Sequence, residues 1–521
     1  MSIRLSRMVL TAFAVSLAAA AALGPAPVAR ASGYATISGS GSSWSSVALA
    51  QWAENLRADG IVINFNPDGS AAGRADYMAQ QVDFAASDPP FRNGTDKLGG
   101  AGAEYPSVGY SYVPDTAGGT AFMYHLTVAG HLVTNLRLSG LTLMKIFTGQ
   151  ITNWDDPQIT KDYGAQLPDE RIIPVIRSDG SGATFFFTRW MATMFPAQWN
   201  AFCSQVTHGR VQPPCGQTEF YPQFPGAVAQ DGSNNVATYI SASYGEGAIG
   251  YDEYAYALNS HFPVVKLLNP AGYYVLPTAS NVAVALTRAQ INEDPGSVNF
   301  LQQDLDNVYT YTDPRSYPLS SYSYLIVPRS GTAIPTDFTG AAGQTLSTFV
   351  NYFLCAGQQF AAELGYSPLP LNLIQGGLLQ EARIPGHVAP ANLATNCDNP
   401  TIRNGQLTIL ADAPEPSPCD KLGEPLDCVV VDGKATTPGA GGAMASASAS
   451  AGITGTTSGS SGSGSGPAVQ AGPVTGTVVN LAAGANDSSM LAVLTAAEIL
   501  VVIAAPPAIY ALVRRRRRAP R

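Results

Sequence analysis

Three short turns in this chain set a hydroxyl residue beside glycine where a helix is expected to begin. They are Gly41-Ser42-Ser43-Trp44, Asp68-Gly69-Ser70 and Asp179-Gly180-Ser181-Gly182. Free backbone N–H groups at a helix start, joined by a serine O–H, make a donor set suited to an anion. Arg177 stands two residues before Asp179 and adds a rigid fork of further donors. Asp88, at the end of the run Val82-Asp83-Phe84-Ala85-Ala86-Ser87, offers the opposite, a lone acceptor. An acceptor beside an anion helps only if that anion carries a proton. Brought into one cleft, these groups would take HPO4²⁻ or H2PO4⁻ and repel fully ionised sulfate. Taken singly, each turn reads equally as an ordinary cap.

Other chemistries lack their parts. Asp179-Gly180-Ser181-Gly182-Ala183 departs from the G-x-S-x-G elbow, and no histidine lies near these motifs. The five histidines, His125, His131, His208, His261 and His387, do not pair at ligand spacing, so no metal site is expected. Asp155-Asp156 beside Trp154 resembles a carboxylate pair but reads as a capped helix start. No enzyme activity, catalytic residue or cofactor is predicted.

The elements that must position these groups alternate between strand and helix. Val47 to Leu56 has helical periodicity, with Ser42 or Ser43 placed to cap it. Ile61 to Phe65 alternates as a strand, and a helix is expected over Arg74 to Gln81. The Val82–Ser87 run must stop at Pro89-Pro90. Tyr110 to Leu126 reads as extended, Leu141 to Phe147 as helical, and Ile172 to Ile176 as the strand entering Arg177. An apolar helix then runs to Phe195. A short helix after Asp231-Gly232-Ser233, a strand at Gly247 to Tyr251, strand over Tyr311 to Pro328 and a helix over Thr345 to Leu364 follow. Repeated strand, glycine turn and helix imply an α/β fold.

Both ends carry a different message. Arg4 and Arg7, an apolar run from Met8 to Leu23, then Ala29-Arg30-Ala31, have the order of a secretory signal peptide over 1–31. Met490 to Val513 is uncharged except for Glu498 and is followed by Arg514 to Arg518. At about 1.5 Å per residue it spans roughly 36 Å, enough for a transmembrane helix whose basic tail, 514–521, stays cytoplasmic. Residues 434–486 are Gly, Ala, Ser and Thr with few large apolar side chains, and read as a flexible tether. Of 28 basic residues nine lie in the two ends, and of 37 acidic residues one does, which leaves 19 against 36, a balance of −17 for the exported part. So acidic a body is no nucleic-acid binder. Six cysteines in an exported chain predict nearest-neighbour disulfides Cys203–Cys215, Cys355–Cys397 and Cys419–Cys428, the last two stapling a small extension over 385–433.

The stretches GSGSSW, NPDGSAAG, VDFAASD, TGQITNWDD, IRSDGSGATFFFT, GAIGYDEYAYA and SYPLSSYSYLIV occur in the order and spacing of the periplasmic phosphate-binding proteins, receptors of the high-affinity phosphate ABC transporter. The chain resembles that family from about Thr36 to Leu373. The resemblance implies a class II periplasmic-binding-protein fold with two hinged lobes, 32–122 with 259–384 and 123–258, closing over one dehydrated phosphate. By matching position, Ser43, Trp44 and Ser70 would donate, Asp88 would accept the phosphate proton, and Arg177, Ser181, Gly182 and Ala183 would bind from the opposite lobe. Asp179 would brace Arg177. Trp44 replaces the family's Phe, which changes little because only its backbone N–H is needed. Ala183 replaces a Thr and removes one hydroxyl donor, for which Thr184 is the candidate substitute. The partners implied are inorganic phosphate and an ABC permease in the same membrane, served by a monomer. A surface adhesin or sensor that has lost the ligand, and a receptor for another tetrahedral oxyanion, are the competing readings.

Overall fold

In the computed structural model, which describes residues 33–437, the site is built on one sheet of eight strands. They are β1 (Ile37–Gly41), β2 (Ile63–Asn66), β3 (Phe84–Ser87), β4 (Tyr110–Tyr124), β5 (Ile173–Arg177), β6 (Val228–Gln230), β7 (Ala248–Glu253) and β8 (Ser320–Pro328). Their order across the sheet is β2-β1-β3-β8-β4-β7-β5-β6. One parallel group, β2-β1-β3, lies on one side and a second, β7-β5-β6, on the other. Between them run β8 and β4, each antiparallel to its neighbours. Strands of a parallel group need a crossover, and helices Ser46–Arg57 and Ser70–Met78 supply it between β1 and β3. This is an α/β fold of the expected class.

β4 links the two halves of the sheet. Tyr110 to Gly119 pairs with β8 and Thr120 to Tyr124 pairs with β7. The handover falls on Gly118 and Gly119, where nothing larger fits. A Cβ on Gly118 would stand 2.7 Å from the Trp44 ring, and one on Gly119 2.7 Å from Pro277. Almost every β4 residue is buried, as in a central strand covered on both faces. Beyond residue 258, where the chain was expected to leave the 123–258 segment for good, Lys266–Leu268 pairs with Arg137–Leu138.

Several elements differ in extent from the sequence expectation, each for a local reason. The helix expected at Arg74 starts at Ser70, because Gly69 takes φ +101° and lets the chain turn early; it ends at Met78, before Gln80 at φ +57°. Ser45, not Ser42 or Ser43, is the N-cap of Ser46–Arg57. The strand expected from Tyr311 starts only at Ser320, since Asp313 to Ser316 form a turn whose carbonyls accept from Asn269 Nδ2. The Thr345–Leu364 helix is two: Gly340–Leu354, capped by Thr339, and a 3-10 turn Ala356–Phe360. Trp52 packs against Gly357 and donates to its carbonyl at 2.9 Å, which holds the chain out of helical register there.

The cysteines join as expected: Cys203–Cys215, Cys355–Cys397 and Cys419–Cys428. The extension after residue 385 is anchored at both ends of its course. Asn399 donates to Leu354 O at 2.9 Å, while Lys266 pairs with Asp420 at 2.6 Å and Leu422 N–H donates to Gly272 O at 2.8 Å. It ends in a hairpin, Val429–Val431 with Lys434–Thr436, so the first residues expected in the tether are strand. The signal peptide, the rest of the tether and the membrane segment expected at 490–513 lie outside the described residues. Among the described residues no helix is long and apolar enough to cross a membrane.

Candidate functional site

The chain ends of β1, β3 and β5 meet at one place, as carboxyl ends of strands do in open α/β sheets. Gly41 closes β1 at φ +129°, with its Cα pressed on the Ala86 carbonyl, where a Cβ would lie 2.0 Å away. That contact delivers Ser42 and Ser43 beside the end of β3, where Asp88 follows. Asp88 is buried and its carboxylate accepts three hydroxyls: Ser42 at 2.8 Å and Ser323 at 2.7 Å on Oδ1, and Ser70 at 3.1 Å on Oδ2. Trp44 is buried edge-on against Tyr366, whose hydroxyl donates to the Trp44 carbonyl at 2.6 Å.

From the other parallel group β5 delivers Arg177, also buried. Its Nε donates to Asp179 Oδ1 at 2.7 Å and its Nη2 to Asp179 Oδ2, so Asp179 braces the guanidinium. The remaining fork reaches across: Nη2 donates to Ser43 Oγ at 2.9 Å and Nη1 to Ser233 Oγ at 3.1 Å. Ser43 and Ser233 hydroxyls also stand 2.8 Å apart. Asp179 is itself fixed by the Gly232 N–H at 3.0 Å.

The third turn opens helix Gly182–Met194. Ser181 is its N-cap, with Oγ accepting from Thr184 N–H at 3.3 Å and its own N–H donating to Glu219 O at 3.0 Å. Its hydroxyl proton stays available to donate. Gly182 and Ala183 occupy the first turn, where backbone N–H groups have no intrahelical acceptor. Gly182 lies so close to Asp88 that a Cβ would meet Oδ2 at 1.9 Å. Ala71 N–H donates to Gly180 O at 3.0 Å, which ties the second turn to the third. Thr184 is differently employed: its hydroxyl pairs with Tyr251 at 2.7 Å, and Tyr251 accepts from Arg177 N–H at 3.3 Å. It therefore props β5 through Tyr251.

The electrostatics follow from burial. Burial raises the Asp88 carboxyl above the usual range, while Ser323, Ser42, Ser70 and Arg177 pull it back. Asp252, 3.7 Å from Arg177 Nη1, is pushed up to about 6 by burial, opposed by Arg177 and Ser233. Burial works against charge on Arg177, but Asp179 and Asp252 outweigh it and keep the guanidinium protonated. The result is a site dense in donors in which the arginine charge is largely matched by its own carboxylates.

Hydrogen bonds and close approach bring Ser43 to Arg177, and Ser70 and Gly182 to Asp88, while Ser181 caps the helix that Gly182 and Ala183 open, Asp179 is held on Arg177, Thr184 on Tyr251, and Trp44 is buried against Tyr366. Sequence reasoning named Ser42 only within its turn and as a cap, and missed Ser233 and Ser323. Ser233 carried a signal, since Asp231-Gly232-Ser233 repeats the pattern of Asp68-Gly69-Ser70 and Asp179-Gly180-Ser181. Ser323 sits inside a strand among other serines and carried none.

Comparison with known proteins adds a family. The family model described as the PBP superfamily domain matches residues 26–356. The phosphate-binding protein PstS of Xylella fastidiosa is 31% identical over 344 residues, 65% of this chain and 83% of that protein. The PstS of Pasteurella multocida is likewise 31% identical over 344 residues, covering 65% and 88%. PstS 3 of Mycobacterium tuberculosis is 29% identical over 344 residues, covering 65% and 84%. Among solved structures, a phosphate-binding protein from Stenotrophomonas maltophilia aligns at 16% identity over 71% of this chain and 99% of that one, with a TM-score of 0.47.

Proposed function

Because this chain belongs to the PBP superfamily, and within it to the phosphate-binding proteins of the PstS kind, we propose that it captures inorganic phosphate outside the cytoplasm for an ABC transporter. The two parallel groups, joined through β8 and β4, act as lobes, and Gly118-Gly119 is where β4 passes between them. Phosphate sits between Asp88 on one side and the Arg177, Ser181, Gly182 and Ala183 donors on the other. The observation that carries this reading is the pairing of a donor-rich half with the buried Asp88 carboxylate, which, unlike Asp179 and Asp252, has no guanidinium bonded to it among the described residues. Asp88 is a useful neighbour only to an oxyanion that still holds a proton, because two unprotonated anions in contact repel.

Capture then works by substitution of water. Closing the lobes removes the anion from solvent and replaces its shell with fixed N–H and O–H groups, which cost little reorganisation. Arg177, matched by Asp179 and Asp252, binds by directed hydrogen bonds more than by net charge, as suits a protein of net acidic composition. The signal peptide at 1–31, the tether after the last hairpin and the span at 490–513 would keep the receptor on the outer face of the membrane beside its permease.

Isothermal titration of the purified protein with phosphate, sulfate and arsenate tests this. Phosphate and arsenate should give heat and sulfate none. Micromolar protein that gives no heat with phosphate would sink the proposal.

A further inference from the structure

Beside the carboxylate pocket lies a second buried ionic cluster with no part in holding the anion: Arg74, Arg92, Glu104 and Glu219. Arg74 is fully buried on Ser70–Met78, the helix that Ser70 opens. Its Nε donates to Glu104 Oε2 at 2.8 Å and its Nη1 to Ser87 Oγ at 2.8 Å. Its Nη2 reaches both carboxylate oxygens of Glu219, at 2.7 and 2.8 Å. Arg92 bonds the same two carboxylates, Glu104 at 2.7 Å and Glu219 at 3.0 Å.

The positions of these partners give the cluster its meaning. Ser87 immediately precedes Asp88. Glu219 supplies the carbonyl that accepts the Ser181 N–H at 3.0 Å. Asp96 holds the same loop, accepting Thr218 Oγ1 at 2.7 Å and Glu219 N–H at 3.1 Å. Disulfide Cys203–Cys215 staples the loop just upstream to helix Pro196–Val206. One guanidinium therefore touches the helix bearing Ser70, the strand end bearing Asp88 and the loop that orients Ser181. Glu219 comes from the Ser181 side, and Arg74, Arg92, Glu104 and Asp96 come from the Asp88 side. A paired, hydrogen-bonded carboxylate is favourable only while its partners are assembled, and it returns to water when they part. Such a cluster adds little to the stability of either side alone and much to the geometry of the two together.

We propose that Arg74 and Glu219 are positioning residues for anion capture, latching the Asp88 side of the clamp to the Ser181 side. The proposal rests on the reading of the site as a phosphate receptor that closes. It assigns the cluster to the rate at which phosphate leaves, because the latch forms after the anion has entered.

Glu219→Gln in the full chain, with inorganic phosphate as probe, tests it by stopped-flow tryptophan fluorescence and thermal melting. Loss of charge from bonds to two guanidiniums should raise the phosphate dissociation rate by about 10- to 100-fold. The association rate should change by much less than the dissociation rate, because most effects of such substitutions fall on dissociation. The melting temperature without phosphate should hold, while the rise produced by phosphate shrinks. Arg92→Ala, at a more accessible site, should shift dissociation the same way by less, and reports even if Glu219→Gln fails to fold. An unchanged dissociation rate in Glu219→Gln and Arg92→Ala, with a wild type that binds phosphate, overturns the latch alone, as does an equal fall in melting temperature with and without phosphate. A wild type that does not bind phosphate overturns the latch and the receptor reading together.

Discussion

Asp88→Asn exchanges a carboxylate for an amide of the same shape at the point where protonated and unprotonated oxyanions differ. Asp88 is 2% exposed, and its three serine partners can rotate to accept from an amide, so the fold should survive. Sulfate would set an unprotonated oxygen against the carboxylate. At about 4 Å and an effective dielectric near 20, two unit charges repel by about 4 kcal/mol, which is about a thousandfold in dissociation constant. Phosphate instead donates to Asp88 and would lose a charge-assisted hydrogen bond of about 1.5–3 kcal/mol, or roughly 10- to 150-fold. Both changes act in one direction, so the variant should bind sulfate measurably and lose most of its preference for phosphate. Isothermal titration with each anion at pH 7 gives the ratio. Acid should mimic the substitution in the wild type, because a protonated Asp88 no longer repels sulfate, and the variant should lose that pH dependence. A phosphate-to-sulfate ratio within tenfold of the wild type would show that Asp88 does not read the proton.

Three further outcomes are expected. Ala183→Thr should tighten phosphate binding by about tenfold or more, by adding a hydroxyl donor in the first turn of helix Gly182–Met194; a titration showing no gain would mean that another group, such as Thr184, already fills that role. Glu381 is fully buried at the end of helix Leu371–Glu381, and burial, opposed by Ser347, pushes its carboxyl up to about 8 from 4.5. A raised acid stabilises the fold below its unfolded value and loses that contribution as pH climbs through the folded one, here a loss of up to about 5 kcal/mol between pH 4.5 and 8. Glu381→Gln should flatten that decline in urea unfolding across the window, and an equally steep variant would assign it elsewhere. The Cys355–Cys397 bridge closes a separation of 42 residues, so replacing both cysteines with serine should cost about 4 kcal/mol of stability; a change below about 1 kcal/mol in denaturant midpoint analysis would mean that the extension stays docked without it.

Much of the chemistry was legible along the chain because it is local. A guanidinium two residues from a carboxylate can fold back on it, and Arg177 and Asp179, a pairing the family resemblance implied, do so. A hydroxyl residue after glycine before an apolar helical run declares a cap, and Ser181 is one. Strand alternation and glycine turns declared the α/β class. The short loops between Cys203 and Cys215 and between Cys419 and Cys428 declared their own bridges.

What tertiary structure decided is everything that depends on which strand lies beside which. Ser323 reaches Asp88 across 235 residues and Ser233 reaches Ser43 across 190, because β8 is antiparallel to β3 and β6 is parallel to β5. A one-residue slip of register would turn Ser323 to the opposite face, and nothing in the local sequence sets that register. The same holds for Thr184, whose hydroxyl serves Tyr251 on a neighbouring strand, and for Arg74 and Glu219, joined across 145 residues. Sequence fixes which donors and acceptors exist and how near neighbours pair, through short-range sterics. Sheet register and packing, summed over the whole core, decide which distant ones meet.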